Sequence, residues 1–509
     1  MKIIDPFPFY GNSLLLPEYS LITGLVVIVI VDLVSEGKDT LLLHGIALTS
    51  LVTSMVFLSR QWETESLSIA YGTLRIDTFS NIFRLLLLIC SLLSVSLSVG
   101  YIRCTKTALT EFSLFTSTAG PGGMSSCRAN DSVTIFVSPE RLGLSSYLPS
   151  GYMKRDIRSN EATTKFLLMG GASSSILIHG FSLLYGLFGG ETQLYKIVNG
   201  LVSNQMYDSP AIHTSITFII VGMGFKLSLV PFHQWTPDVY EGSPTPVVAS
   251  FSATSKVAAL ALSTRLLGIT FSYLSSEWHL ALGILATLSM VLGNLIAVTQ
   301  TSMKRMLAYS SISQIGYILI GILAADPDNG YASMISYTSI YIFMNLGTFA
   351  RITLSGSRTG TDNIRDYAGP YMKDPVLTFS LVIRLPSPGG IPPLAGFSGK
   401  PYPFWHGWKA GSYPLVLVAP ITSVISIYHY PKIIKLMFTE GGDTSTIYIQ
   451  DPLVSPSTSI SKSSIEIAMI VRVPASTLLG ISMDPIIEIT RNTSFQTYFE
   501  LSHEIMESF

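Results

Sequence analysis

Long apolar stretches follow one another along the whole chain and are separated by short polar segments. A helix needs about 20 mostly apolar residues to cross the hydrocarbon core of a bilayer, and about fourteen stretches meet this criterion. They lie near residues 12–35, 41–58, 76–101, 111–127, 131–150, 164–188, 211–232, 245–270, 279–300, 305–324, 332–354, 374–398, 402–437 and 464–488. The pattern predicts an all-α polytopic membrane protein without a large soluble domain.

The composition agrees with this prediction. Charged residues make up 12% of the 509 residues, whereas a soluble domain usually carries about 25%. The mean hydropathy is +0.47, although hydrophobic residues contribute an ordinary 48%. The net charge of −1 provides no basic field for nucleic acid. Three dispersed cysteines, Cys90, Cys104 and Cys127, exclude a disulfide framework and a cysteine-rich metal site.

The basic residues between the spans predict the orientation of the chain. An even number of spans places both termini on one side of the membrane, and residues 1–10 do not resemble a cleavable presequence. Basic residues concentrate after the third, fifth, ninth and eleventh spans, which are loops on a single side: Arg103, Lys106, Lys154, Arg155, Arg158, Lys165, Lys304, Arg305, Arg358, Arg365 and Lys373. Because basic loops stay on the side of synthesis, both termini are predicted on the opposite side. The acidic loop with Asp238 and Glu241 is an exception.

Four ionisable residues fall inside predicted spans: Glu140, Lys226, Lys256 and Lys400. Each costs at least about 2.5–3.5 kcal/mol to insert, so such residues persist where they pair, contact water or carry out a function. A single lysine near a span end can extend its amine to the interface. Four such residues in one chain favour a hydrated path along which protons pass in steps.

Two of the spans are predicted to be broken. Pro231 interrupts the seventh span, and the prolines that follow Ile391 interrupt the twelfth just before Lys400. Backbone groups freed by proline survive in a membrane only when they are buried in protein or face water. His233, at the first break, is a candidate proton carrier, whereas His179 in the sixth span is more typical of a packing residue. Broken helices in two corresponding positions also suggest inverted repeats.

The motifs of redox and nucleotide chemistry are missing from the sequence. It contains no Walker A loop, no dinucleotide-binding fingerprint, no cysteine cluster for iron–sulfur and no paired histidine ligands. We therefore predict that this chain binds no redox cofactor or metal and does not itself hydrolyse ATP or oxidise NADH. If it moves ions, the energy comes from elsewhere.

Three stretches of the sequence resemble the antiporter-like subunits of respiratory complex I, in the full-length form of plant mitochondria. They are the run Pro-Phe-His-Gln-Trp-Thr-Pro at 231–237 with its flanks, residues 303–317, and Gly-Gly-Ile-Pro-Pro-Leu-Ala-Gly-Phe-Ser-Gly-Lys at 389–400. The resemblance covers most of the chain. It implies fourteen helices with two inverted five-helix repeats, each containing one broken helix. The corresponding boundaries are 1–105 for a three-helix segment, 106–275 and 276–437 for the repeats, and 438–509 for a polar loop and last helix.

The resemblance also implies roles for the five candidate residues. Glu140 would pair with Lys226 and modulate it, Lys256 would connect the two repeats, Lys400 would lie on the exit side, and His233 matches a histidine of the broken helix. NADH, FMN, iron–sulfur clusters and ubiquinone would bind to other subunits of the complex. The implied partners are the other membrane-arm subunits and lipids such as cardiolipin, in the mitochondrial inner membrane.

Other functions remain open on the sequence alone. The chain could be a free-standing cation/proton antiporter of the related branch, or a membrane scaffold whose charges only hold helices together. A plastid homologue that reduces plastoquinone shares the motifs, but its sequence is usually less similar.

Several positions depart from the family pattern in one direction. Arginine, proline or serine stands where the resemblance implies Cys, Leu or another small or apolar residue, at Arg141, Arg351, Arg384, Arg472, Pro386, Pro388, Pro401, Pro403, Ser387 and Ser398. Each difference corresponds to a single C-to-T base change, and plant mitochondrial transcripts are edited in this way. We therefore expect this sequence to be the unedited translation of the gene. Genuine divergence with compensating partners is the alternative.

Overall fold

The structure, a computed structural model, describes thirteen segments of the chain. They are residues 14–34, 40–62, 67–70, 72–105, 109–153, 156–203, 209–271, 274–324, 330–359, 362–367, 375–392, 394–439 and 486–491. Arg472, both termini and nearly all of the last predicted span, 464–488, lie outside the described residues. The predicted orientation and the prediction of a fourteenth helix therefore remain predictions.

The described chain is almost entirely helical. The helices are α1 (Leu16–Val34), α2 (Thr40–Arg60), α3 (Thr78–Thr105), α4 (Leu109–Arg128), α5 (Ser132–Ser150), α6 (Ile157–Leu187), α7 (Leu194–Ser203), α8 (Pro210–Leu227), α9 (Trp235–Gly242), α10 (Thr245–Ser263), α11 (Ser275–Thr299), α12 (Met303–Leu323), α13 (Gly330–Thr359), α14 (Pro375–Arg384), α15 (Pro386–Gly389), α16 (Ala395–Gly399), α17 (Pro401–Lys409) and α18 (Tyr413–Phe438). A π-helical turn, Thr264–Thr270, continues α10, and a 3₁₀ turn spans Ile364–Tyr367. Strands β1 (Leu67–Ile69) and β2 (Leu74–Ile76) form an antiparallel hairpin.

The predicted spans agree with the observed helices up to the eleventh, with one informative difference in the sixth. The sixth span is longer than predicted because Asp156 caps α6 by accepting a hydrogen bond from the Arg158 amide. Arg158, which was predicted in the loop before this span, therefore lies in the first turn of the helix. Hydropathy locates the apolar part of a helix, whereas the cap determines where it begins.

The predicted thirteenth span, 402–437, was wrong because it joins two separate helices. The chain turns at residues 410–412, where Gly411 has a left-handed φ of +80°, and α18 begins only at Tyr413. Before this turn, residues Pro401–Lys409 form α17, which belongs to the broken twelfth span.

The hairpin β1–β2 was also not predicted, because three-residue strands are too short to show a periodicity.

The distribution of apolar surface fits a membrane protein. Among the described residues, nine helices are long and apolar enough to cross a membrane. Helices α10 and α12 are buried along nearly their whole length, whereas α1, α11 and α18 expose large apolar side chains such as Leu33, Leu280 and Ile421. Exposed apolar faces of this kind are stable against lipid chains. The two buried helices, α10 and α12, are enclosed by the others and form the centre of the fold.

Small residues let the central helices approach each other closely. A Cβ atom at Gly293 of α11 would lie 2.9 Å from the Ser313 backbone nitrogen, and one at Gly316 of α12 would lie 2.6 Å from the Met290 side chain. In lipid, helix association depends on this kind of close packing, because burying apolar surface gives little gain there. The two glycines thus set the spacing of α11 and α12.

A buried ion-pair cluster connects the first helix to the rest of the protein. Glu18 of α1 contacts Arg84 of α3 at 3.0 Å and Arg128 of α4 at 2.9 Å, both through Oε1. The two arginines are fully buried, and Arg128 also donates to the Leu14 carbonyl at 2.9 Å. The hydropathy pattern did not reveal this cluster, because the three residues lie near the ends of separate helices.

A second buried ion pair joins the hairpin to the end of α10. Both oxygens of Asp77 accept hydrogen bonds from Arg265 Nη2, at 2.9 and 2.8 Å. Burial alone would raise the pKa of the Asp77 carboxyl, but Arg265, Arg75 and hydrogen bonds from Ser80 bring that pKa below its ordinary value. This pair anchors the π-helical turn on the side of the fold that carries the hairpin.

Candidate functional site

The first break in a membrane helix occurs where Pro231 predicted it. Helix α8 ends at Leu227, residues 228–234 run without helical structure, and α9 begins at Trp235. The Trp235 indole donates to the Phe225 carbonyl at 3.2 Å, which satisfies one of the backbone groups that the break releases. Leu229 and Val230 are buried, as expected for irregular backbone at membrane depth.

Glu140 and Lys226 form an ion pair beside this break. The Lys226 ammonium, in the last turn of α8, donates to Glu140 Oε1 of α5. Ser174 of α6 donates its hydroxyl to the same oxygen and lies 3.5 Å from the Lys226 amine. Both charged side chains are mostly buried, with 16% of Lys226 and 23% of Glu140 exposed. The sequence indicated the two charges, but it did not indicate Ser174, which is one of many serines in this chain.

A small cavity adjoins the Glu140–Lys226 pair. Its volume is about 50 Å³, and its wall includes Lys226, Tyr147, Phe166, Trp235 and Ser255. A water molecule occupies about 10–15 Å³ on this measure, so the space suffices for a few waters. The Lys226 amine therefore has both a fixed carboxylate partner and space for water next to it.

Lys256 lies deeper in the protein than Lys226. It is buried in the middle of α10, and its amine donates to the Ser311 hydroxyl of α12 at 2.7 Å. The rings of Tyr240 and Tyr341 lie on two sides, at 6.0 and 5.9 Å from the amine to the ring centroids. No carboxylate contacts this amine among the described residues. Within the described part of the chain, a hydroxyl and two aromatic faces surround this amine.

The second break holds Lys400. Helix α15 ends at Gly389, and the chain reaches the short α16 through Gly390, which has a left-handed φ of +83°. Lys400 connects α16 to α17; its amine donates to the Gly389 carbonyl at 3.2 Å and lies 4.9 Å from the centroid of the Tyr317 ring. A Cβ atom at position 390 would lie 3.3 Å from that amine. The break therefore supplies both the acceptor and the space for Lys400.

Helix α12 connects Lys256 to Lys400. Ser311 contacts Lys256, the Gln314 amide donates to the Pro388 carbonyl at 3.1 Å, and the Tyr317 ring lies against Lys400. These three residues follow one another at intervals of three and therefore share one face of the helix. Sequence reasoning gave them no role, although polar residues at this spacing in an apolar helix were a usable signal.

His233 lies apart from the charged residues. It is half-buried in the first break, and its ring centroid is 6.1 Å from that of Tyr309. His179, interpreted as a packing residue, stacks edge-on against Phe218 on the exposed side of α6. The structure thus brings Glu140 and Lys226 into direct contact and places Lys256 and Lys400 at opposite ends of the α12 polar face. It gives His233 no contact with any of the four.

The donor set suits proton movement rather than metal binding. Among the residues that the structure describes, no group of three or more His, Cys, Asp or Glu side chains could hold a metal ion. Amines, hydroxyls and one carboxylate can hold and pass protons, since each can donate or accept a hydrogen bond.

Comparison with known families places this arrangement in a known context. A family model described as "NADH:quinone oxidoreductase/Mrp antiporter, TM" matches residues 129–426, more than half of the chain. The chain belongs to this NADH:quinone oxidoreductase/Mrp antiporter family. A second model, described as the N-terminal part of NAD(P)H-quinone oxidoreductase subunit 2, matches residues 1–100.

Chains in three solved structures share the fold. A chain of respiratory complex I from Thermus thermophilus with bound aureothin is 26% identical, with a TM-score of 0.74 over 93% of this chain and 98% of that chain. A chain of the archaeal membrane-bound sulfane sulfur reductase is 22% identical, with a TM-score of 0.79 over 96% and 97% of the two chains. A chain of the Mrp complex from Dietzia sp. DQ12-45-1b is 19% identical, with a TM-score of 0.80 over 97% and 98%. The last two similarities show the fold alone.

Proposed function

We propose that this chain is a proton-translocating, non-redox subunit in the membrane arm of respiratory complex I. In this role it couples NADH:ubiquinone electron transfer to proton pumping. The observation that carries the proposal is the Glu140–Lys226 pair at the broken helix α8–α9, with space for water beside it. The match of residues 1–100 to a subunit of an NAD(P)H-quinone oxidoreductase supports the assignment to complex I.

The proposed path runs along the middle of the fold. Lys226 holds a proton beside Glu140, which adjusts its release, and Lys256 receives protons and passes them across the polar face of α12. Lys400 delivers them on the exit side. His233, in the first break, supplies a further exchangeable site near Tyr309. Residues 106–275 and 276–437 then act as two inverted repeats, each with one broken helix.

The proposed setting follows from the same assignment. The chain is chain 2 of the NADH:ubiquinone oxidoreductase of a plant mitochondrion, in the inner membrane, with both termini on the intermembrane-space side. NADH, FMN, iron–sulfur clusters and ubiquinone bind to other subunits, so this chain supplies proton transfer only. The exposed apolar faces contact neighbouring membrane-arm subunits and lipids such as cardiolipin.

A free-standing cation/proton antiporter is the second candidate, favoured by the fold shared with a chain of the Mrp complex. A native gel of solubilised membranes distinguishes the two. We expect the chain to migrate in a complex of many subunits with NADH dehydrogenase activity. The purified chain in vesicles should show no Na⁺/H⁺ exchange, with an Mrp complex as the positive control. Exchange by the lone chain would contradict the proposal.

The scaffold alternative differs in what the charges do. If the four central charges only hold helices together, neutral residues that pack equally well should preserve pumping. Normal pumping after Glu140, Lys226, Lys256 and Lys400 have all been neutralised in an assembled complex would favour the scaffold.

We also propose that editing alters this sequence in the mature protein. Arg351 and Arg384 are buried in the membrane region, where an arginine is costly. Pro386 and Pro401 stand at the first positions of α15 and α17, where no amide is needed. The unedited chain therefore accommodates these prolines by starting new helices. Leu at 386 and 388 would supply the missing amides and would let α14 continue into α15.

Peptide mass spectrometry of the purified complex tests the editing proposal. We expect peptides that span residues 384–403 to carry Cys at 384 and Leu at 386, 388, 401 and 403. Arg265, which pairs with Asp77, should remain arginine and serves as the control. A tryptic peptide that ends at Arg384, or one that retains Pro386, would contradict editing at these positions. Arg141 is the weakest candidate, because it already donates to the Ser125 hydroxyl at 3.0 Å.

A further inference from the structure

The ring of Tyr317 lies over the Lys400 amine. The amine is 4.9 Å from the ring centroid and donates to the Gly389 carbonyl at 3.2 Å. Lys400 is buried, and within the described ranges no carboxylate contacts its amine. A buried ammonium is costly unless the protein compensates its charge. The negative face of an aromatic ring attracts a cation within about 6 Å of its centroid, so this ring compensates part of the Lys400 charge.

Hydrogen bonds to two other helices hold the Tyr317 hydroxyl. The side-chain nitrogen of Asn294 in α11 lies 2.9 Å from the phenol oxygen and 2.9 Å from the Met290 carbonyl oxygen. A carbonyl can only accept, so the amide nitrogen is the atom that faces both, and it donates to the phenol oxygen. On the other side, the Thr422 hydroxyl of α18 lies 3.0 Å from the phenol oxygen.

The proton of the Tyr317 hydroxyl is directed away from Lys400. The Thr422 hydroxyl donates to the backbone carbonyls of Val418 and Ala419, each at 3.0 Å, so its oxygen accepts the phenol proton. The phenol therefore donates to α18 and accepts from α11. Its ring, and not its hydroxyl, meets the Lys400 amine.

The aromatic rings beside Lys256 are less direct than the ring beside Lys400. Their centroids lie 6.0 and 5.9 Å from the Lys256 amine, near the limit of the attraction, and the Ser311 hydroxyl accepts a hydrogen bond from that amine at 2.7 Å. Tyr317 is closer to its lysine and is fully buried. The contribution of a ring to holding the charge is therefore largest at Lys400.

We propose that Tyr317 is a positioning residue whose ring face stabilises the protonated amine of Lys400, while Asn294 and Thr422 keep the ring in place. This inference rests on the proposed function. It explains how a buried lysine with no carboxylate partner among the described residues holds a proton beside the second break. The Tyr317 hydroxyl takes no part in proton transfer, because its proton is donated to Thr422.

The test compares Tyr317→Met with Tyr317→Phe in the assembled complex, reconstituted in vesicles. Methionine is apolar and flexible, so it fills much of the space without a ring face, whereas phenylalanine retains the ring and loses only the hydroxyl. We expect NADH-driven pumping to fall about tenfold in Tyr317→Met but to stay within about threefold of normal in Tyr317→Phe. A desolvated contact between a cation and a ring outweighs one neutral hydrogen bond.

The matched control is another buried ring that is replaced by methionine. Phe83 of α3 is fully buried and packs against Phe79, with ring centroids 4.8 Å apart. Phe83→Met should pump normally once it is assembled. A fall as large as that of Tyr317→Met would show that the loss of any buried ring impairs pumping, and would overturn the inference.

The other outcomes separate this inference from the proposed function. A fall in Tyr317→Phe as large as in Tyr317→Met would assign the role to the hydroxyl and overturn the inference. If Tyr317→Met pumps normally while Lys400→Ala does not, the role of Tyr317 is overturned and the proposed function stands. If Lys226→Ala and Lys400→Ala both pump normally, the proposed function itself fails.

A further variant decides if Tyr317→Met does not assemble. Tyr317→Gln has no ring face, but its amide can still form hydrogen bonds with Asn294 and Thr422. Slower pumping by the assembled Tyr317→Gln enzyme supports the role of the ring, and unchanged pumping overturns it.

Discussion

Replacing Lys226 by alanine should lower NADH-driven proton pumping by the assembled enzyme at least about tenfold. The substitution removes the amine that contacts Glu140 and Ser174 and leaves the carboxylate without its cation. It also removes the one charged group in the wall of the cavity beside the break. In the proposed path, protons then lack a binding site between that cavity and Lys256. Pumping into vesicles and coupled quinone reduction measure the effect.

The control for this variant is another lysine that forms an ion pair. Lys196 of α7 contacts Glu191 at 2.9 Å on the surface, with 39% of its side chain exposed. Lys196→Ala should leave pumping unchanged, because an exposed ion pair contributes little to stability and Lys196 does not line the cavity beside the first break. Unchanged pumping by an assembled Lys226→Ala enzyme would contradict the proposed role. A loss in both variants would indicate a general defect of assembly.

Replacing Glu18 by glutamine should destabilise the protein by about 3–5 kcal/mol, the usual cost of breaking a buried ion pair. Glu18 is the carboxylate that both Arg84 and Arg128 contact, and the two guanidinium groups are fully buried. Without it, two like charges remain next to each other in the interior. We expect less assembled complex and a lower thermal transition of the purified enzyme. The effect should concentrate on the packing of α1 against α3 and α4.

Two further variants make this prediction specific. Glu161→Gln removes a partner of Lys165 from an exposed ion pair, with 60% of the Glu161 side chain exposed, and should change stability by no more than about 1 kcal/mol. Replacing Glu18, Arg84 and Arg128 together by apolar residues of similar volume should restore much of the stability. A Glu18→Gln enzyme as stable as the Glu161→Gln enzyme would show that the cluster is unimportant.

The sequence predicted those parts of the fold that depend on a single residue type. Apolar stretches revealed the spans because lipid demands about 20 such residues in a row. Pro231 and the prolines after Ile391 revealed the breaks because proline cannot continue a helix. The four ionisable residues inside the spans could be recognised because charged residues are rare in membrane helices. Each of these signals is local, so no knowledge of neighbouring helices was needed.

What the sequence did not reveal depends on contacts between distant segments. Ser174 looks like any other serine until α6 places it against Glu140. Glu18 lies 66 residues from its partner Arg84 along the chain, and no periodicity connects them. The end of the broken twelfth span was misplaced because α17 and α18 are both apolar and only a turn at Gly411 separates them.

The different partners of the first and last lysines have an energetic consequence. Lys226 carries its proton next to a carboxylate, so the protonated site is electrically neutral overall. The described residues around Lys400 offer only a peptide carbonyl and an aromatic face, so the protonated site there retains a full positive charge. A positive charge is therefore compensated within the chain at Lys226 and is not compensated by the described residues at Lys400. In the proposed path, a proton that moves from Lys226 to Lys400 leaves a carboxylate for a site without one, so the assembled complex has to supply the work for that step.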